Sequence, residues 1–122
     1  MGGKYRPTAP SKSDLSVDAL EVLCSAISVN STAVLIRGSE SGEVIVSGSK
    51  TEGALLLMLS TSFGVDYGPI RASSFDARRG DRLFTFSSAR KRMSVLMVNG
   101  KKKSGISYTK GAAEVIVACS TR

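Results

Sequence analysis

The chain of 122 residues has no histidine and no tryptophan, only two cysteines and three prolines. Without histidine, the usual general base near neutral pH and the commonest zinc ligand are both missing. Cys24 and Cys119 are far apart and fit no metal spacing. They are expected to be reduced, in the apolar surroundings of a cytosolic protein. Long apolar runs are missing as well. The longest, ALLLML at 54–59, is far short of the roughly 20 residues that cross a bilayer, so no membrane insertion is expected of this segment. The opening MGGKYRPTAPSKS lacks the apolar centre of a signal peptide, and residues 1–13 read as a disordered lead-in.

The composition, 42% apolar and 22% charged, is that of a folded chain with one core, and residues 14–122 read as one domain. The net charge of +7 is unevenly placed. Residues 82–110 hold eight cations and no acid, whereas the sequence before them is close to neutral. Such a block implies either an anionic partner or a solvated basic face.

Residues 14–29 carry Leu20, Leu23, Cys24 and Ile27 at helical spacing, with Ser16 as N-cap. Residues 32–37 and 43–47 flank GSESG and predict a hairpin or a longer loop. Ser49 or Thr51 opens a second helix that ends near Gly64. Residues 65–80 are polar and mixed, with Gly68-Pro69 as a turn. Three strands follow at 82–87, 93–98 and 106–110, then a break at Gly111 and a helix from Ala112. The order predicts an α+β domain, an antiparallel β-sheet flanked by helices.

The stretch FTFSSARKRMSV, residues 84–95, sets two aromatics beside three consecutive cations. It suits a polyanion-binding patch, a solvated turn between strands, or a pocket for one small anionic ligand. Alternation puts Phe84 and Phe86 on one face of their strand, and burial in the core is the ordinary expectation for each. The Lys101–Lys103 run sits at a hairpin tip and reads as a solvated loop.

Four stretches, in order, resemble one family. GSKTEGALL (48–56) is similar to its G-x-x-T-E-x-A-L-L, FTFSSARKRMSV to its T-F-x-S-x-R-K-x-M-S, and YTKGAAEVI (108–116) to its K-G-A-x-E signature. ISVNSTA (27–33) is similar to its I-x-I-N-S stretch. The family is the P-type cation-transporting ATPases, and the segment their cytoplasmic nucleotide-binding domain, over roughly residues 15–122. Ser88 stands where reticulum-type calcium pumps carry an arginine, which makes the resemblance closest to the plasma-membrane type. The chain has no D-K-T-G and no T-G-D, and its end resembles a point inside the domain. The resemblance therefore implies a C-terminally incomplete fragment of a pump.

It also implies roles. Phe86 would stack on adenine, Lys91 would meet the phosphates, and Lys110 with Gly111 would form the base of the pocket. Thr51 and Glu52 would meet the polar edge of the purine, although first-turn placement favouring the helix dipole explains Glu52 equally well on sequence alone. Ser88 would lie beside the nucleotide. The bound species would be Mg-ATP, with the magnesium ligands outside this chain. The partners would be the phosphorylation, actuator and transmembrane domains of a pump on the cytoplasmic side of a membrane, and no nucleic acid. The competing readings are a basic module that binds nucleic acid through residues 82–110, and a remnant of the fold that serves only as an interaction surface.

Overall fold

The computed structural model describes residues 11–121. Most of the expected lead-in lies outside them. Within it, Lys12–Asp14 form one 3-10 turn, and the Ser11 N–H donates to the Asp14 carboxylate at 2.8 Å.

Helix α1, Val17–Val29, begins where the Ser16 hydroxyl accepts the Ala19 N–H at 3.2 Å. Its Leu20, Leu23, Cys24 and Ile27 face the core as their spacing requires. Strands β1, Val34–Arg37, and β2, Val44–Ser47, pair antiparallel with Ile36 opposite Ile45. Helix α2, Lys50–Phe63, starts from Ser49 and stops at Gly64, whose φ of 64° is the left-handed C-terminal cap that glycine adopts without a Cβ penalty. Gly53 lets α2 lie directly on the hairpin, since a Cβ there would stand 2.3 Å from a Val46 methyl.

The polar middle is not a turn. Tyr67–Ser74 form a third helix, α3, with Asp66 as N-cap accepting the Gly68 N–H at 2.9 Å. Pro69 falls in the first turn, where its missing N–H would have no intrahelical partner in any case. Eight residues are too few to establish a helical period against the turn signal of Gly68-Pro69.

Strands β3, Arg82–Ser87, β4, Arg92–Asn99, and β5, Ser104–Gly111, form an antiparallel meander in that order. It is separate from the β1–β2 pair, so the sheet expected from the sequence is two sheets. Helix α4, Ala113–Cys119, follows β5. The α+β class holds.

The main core is helical: Cys24, Leu59 and Phe63 are buried where α1, α2 and α3 meet. Burial pushes the Cys24 thiol above its ordinary pKa, although Lys12 opposes this. Cys119 departs from expectation, being exposed, with the Arg92 guanidinium donating to its sulfur at 3.4 Å. In the meander, Met93 and Val95 are the buried positions of β4.

Asp81, only 3% exposed, fastens the meander to the segment before it. Its carboxylate accepts from the Val98 N–H at 2.8 Å, the Asp76 N–H at 2.9 Å and the Arg79 guanidinium at 2.5 Å. The Arg79 bond outweighs burial, and with the two amides it holds the carboxyl down at about 2. A depressed carboxyl contributes stability that is complete above its unfolded pKa and is lost as pH falls through the folded value. Urea melts taken from about pH 5 down to about pH 2 are expected to show this loss. Asp81→Asn should cost roughly 1–3 kcal/mol near neutrality and flatten that slope; an unchanged slope would rule Asp81 out as its source.

Candidate functional site

Glu52 occupies the first turn of α2, three residues after Ser49, in the spacing of a capping box. Only half the box forms. The Ser49 hydroxyl accepts the Glu52 N–H at 3.4 Å, but the Glu52 carboxylate turns away to the loop after α1. Its Oε2 accepts from the Ser31 hydroxyl at 3.2 Å and from the Thr32 and Ala33 amides at 3.2 and 3.1 Å. Its Oε1 accepts from the Lys110 ammonium at 2.8 Å.

Lys110 lies on β5 opposite Met93 of β4, so its side chain leaves the same face as a fully buried residue. Its ammonium also donates to the Asn30 carbonyl at 2.5 Å, and the Asn30 side-chain amide donates to the Met93 carbonyl at 3.3 Å. The loop after α1, the start of α2 and the meander are thereby joined through one ion pair. Burial pushes the Glu52 carboxyl up, but the bond and charge of Lys110, with the Thr32 amide and the Ser31 hydroxyl, hold it below its ordinary pKa.

The pair does not use all its capacity. An ammonium carries three donors, and among the described residues Lys110 engages two partners. The Oε1 of Glu52 accepts from Lys110 alone and keeps a second acceptor direction. The Lys110 side chain is 33% exposed and the Glu52 side chain 10%, so the ammonium is the more open member of the pair.

Gly111 and Lys91 meet through backbone. Gly111 pairs with Arg92 at the end of β5, and a Cβ on it would lie 2.4 Å from the Lys91 carbonyl oxygen. That carbonyl accepts the Ala112 N–H at 3.0 Å, and the Lys91 N–H donates to Ser87 at 2.8 Å. Lys91 is held at φ 52°, a left-handed conformation that costs a non-glycine residue roughly 1–2 kcal/mol. The loop carrying Lys91 is thus pinned to the start of α4, with the lysine side chain exposed. Arg90 folds back instead, donating to the Thr85 carbonyl and the Ser87 hydroxyl.

Phe84 and Phe86 do not share a face. Phe84 opposes Ser94 and Ser87 opposes Arg92, so three steps along β3 match two along β4. Ser94 and Arg92 share one face, which places Phe84 and Ser87 together and turns Phe86 to the other side. This is a β-bulge, in which two residues oppose one and a side chain is re-aimed. Phe86 thereby joins the face of Met93 and Lys110. Neither ring is core, since Phe84 is 46% and Phe86 60% exposed.

Of the seven candidate residues, Glu52 and Lys110 are bonded to each other, Lys91 and Gly111 touch, and Phe86 turns to the Lys110 face. Thr51 is exposed on the first turn of α2, and Ser88 is exposed in the β3–β4 loop. Sequence reading gave no role to Asn30, Ser31 or Ala33, whose backbone and hydroxyl groups hold the pair. The NST stretch was noticeable only as part of a motif, because main-chain donors leave no mark in residue type. Lys101–Lys103 lie at the opposite end of the meander, exposed.

Gly111→Ala is expected to force the Lys91 loop away and break the Ala112–Lys91 bond, costing roughly 1–3 kcal/mol. Hydrogen exchange at the Ala112 amide reads this directly; protection equal to the wild type would show that the close approach is not needed.

The family model described as P-type ATPase, cytoplasmic domain N, matches residues 19–122. The chain is 31% identical over 121 residues to the plasma membrane-type calcium-transporting ATPase 9 of Arabidopsis thaliana, covering 99% of this chain and 11% of that protein. It is 39% identical over 97 residues to the calcium-transporting ATPase PAT1 of Dictyostelium discoideum, covering 79% and 8%. With the plasma membrane-type calcium-transporting ATPase 10 of Arabidopsis thaliana it shares 33% over 111 residues, covering 91% and 10%. The chain thus spans about a tenth of the length of these relatives.

Proposed function

The chain belongs to the family of P-type ATPase cytoplasmic N domains, and from that premise we propose that it binds ATP and presents the γ-phosphate to an aspartate in a separate domain. The whole would be a calcium-transporting pump, the activity for which the relatives are named.

The observation that carries this reading is the spare capacity of the Glu52–Lys110 pair. Adenine offers an amino donor beside a ring-nitrogen acceptor, the complement of a free carboxylate direction and a free ammonium hydrogen. Phe86, turned to the same face by the bulge, supplies a ring worth roughly 1–3 kcal/mol per stacked base. Lys91 supplies a flexible point charge for the phosphates, from a loop fixed by Gly111. Thr51 adds a hydroxyl next to Glu52, and Ser88 one beside the phosphate path. The chemistry asked of these residues is positioning and electrostatic, with no general base. We assign the protein ligands of the magnesium that accompanies ATP to parts of the pump outside this chain. No helix among the described residues is long and apolar enough to cross a membrane. We assign the spans, the phosphorylation domain and the actuator domain to the rest of the pump, with this part on the cytoplasmic side.

The nucleic-acid reading draws on the eight cations of residues 82–110. Lys110 is paired with Glu52 and keeps a single spare donor, and Arg90 is turned back on Thr85 and Ser87. Lys101–Lys103 stand at the far end of β4 from Lys91, roughly 23 Å away at the usual strand rise. Of the remaining two, Arg92 stands next to Lys91, and Arg82 lies opposite Leu96 between the two ends.

Amide NMR titrations with ATP and with a single-stranded oligonucleotide, each at two salt concentrations, separate the readings. ATP is expected to bind weakly and to shift Phe86, Lys91 and Lys110, and Phe86→Ala should weaken it by roughly 1–3 kcal/mol. Shifts from the oligonucleotide alone, steeply dependent on salt, would replace this function with the other. An unchanged affinity in Phe86→Ala would remove the stacking role.

A further inference from the structure

Arg71 is a residue to which sequence reading gave no role, in a helix it did not foresee. It lies one turn after Tyr67 on α3, with its guanidinium over the Tyr67 ring at 4.6 Å from the centroid. Its Nε donates to the Ser28 carbonyl at 2.8 Å and its Nη1 to the Ala33 carbonyl at 2.9 Å. The Tyr67 hydroxyl accepts the Leu35 N–H at 3.0 Å, so the two side chains together grip residues 28–35. Ser28 and Ala33 are fully buried. Ser28 lies in the last turn of α1, where carbonyls lack helical partners and a cation is favoured.

The same segment faces the Glu52–Lys110 pair from its other side. Thr32 and Ala33 turn their amides to Glu52, and Asn30 turns its carbonyl to Lys110. Ala33 is the point of crossing: its N–H goes to the anion and its C=O to Arg71. Ala33 thus bonds to Glu52 through the peptide group before it and to Arg71 through the one after it, so the position of the amides that meet Glu52 is tied to that of Arg71.

We propose that Arg71 is a positioning residue for the Glu52–Lys110 pair, fixing residues 28–33 so that the free acceptor of Glu52 is aimed at the purine amino group. The ligand named here rests on the nucleotide reading above. A planar fork spans two carbonyls that a lysine, as a single point charge, cannot hold at once. Burial lowers the Arg71 guanidinium below its ordinary pKa, while Tyr67 and the Glu52 charge oppose that.

The test uses the full chain with Arg71→Gln and Arg71→Lys, read by carbon NMR titration of the Glu52 carboxyl, by the Thr32 and Ala33 amides, and by affinities for ATP and for inosine triphosphate, which lacks the amino group. In Arg71→Gln the Glu52 titration is expected to move up towards the ordinary carboxylate range and both amides to shift. ATP affinity should fall roughly tenfold, the scale of one lost hydrogen bond, and inosine triphosphate affinity should fall less. Arg71→Lys should recover little of this, and it carries the same readouts if the glutamine variant does not fold. An unmoved Glu52 titration with unmoved amides would overturn the proposal. Equal losses for both nucleotides would reduce Arg71 to a merely structural residue. If the wild type binds neither nucleotide, the nucleotide reading fails, while the Glu52 titration still decides whether Arg71 positions the pair.

Discussion

One ion pair sets the conditions for much of this structure. Glu52 and Lys110 are 58 positions apart, and their contact at 2.8 Å fixes the start of α2 against the end of β5. Removing two charges from water is costly unless the remaining donors and lone pairs are also met. Here they largely are. Two amides and a hydroxyl converge on one carboxylate oxygen, and a carbonyl takes a second ammonium hydrogen. The loop after α1 is thereby held in the form that Arg71 grips from behind. One ammonium donor of Lys110 and one acceptor direction of Glu52 Oε1 stay unused among the described residues.

The end of the meander is shaped by backbone geometry more than by charge. Gly111 is compatible with a contact that a Cβ would forbid, and that contact in turn fixes Lys91 in a left-handed conformation. The bulge in β3 does for Phe86 what simple alternation would not, turning its ring to the side of Lys110. Irregularities of this kind cost stability locally and are retained where a side chain must be aimed.

Much of the fold was legible in the chain. The period of Leu20, Leu23, Cys24 and Ile27 marked α1, and Ser16 and Gly64 were the expected cap and stop. The three strands of the meander fell within two residues of the expected bounds. The third helix was hidden because Gly68-Pro69 suits a helix's first turn as well as a loop. The burial expected of Phe84 failed because aromatic residue type states a preference for apolar contact without stating where it is met. The basic block was visible as a count, with Lys101–Lys103 at a hairpin tip, but not that Lys110 pairs internally with Glu52.

The sequence alone settled the fold class, the Ser16 cap of α1, the Gly64 stop of α2, the inward face of α1, and the chemical types gathered in the motif stretches. These follow from periods and local bonds that span only a few residues. Tertiary structure alone decided that Glu52 leaves its capping box for a distant loop, that Lys110 becomes its partner, and that Arg71 holds the segment between them. Each of those is a long-range hydrogen bond to a main-chain group or a charge far along the chain. Every residue carries the same amide and carbonyl, so nothing in a side-chain alphabet announces which of them a folded carboxylate or guanidinium will find.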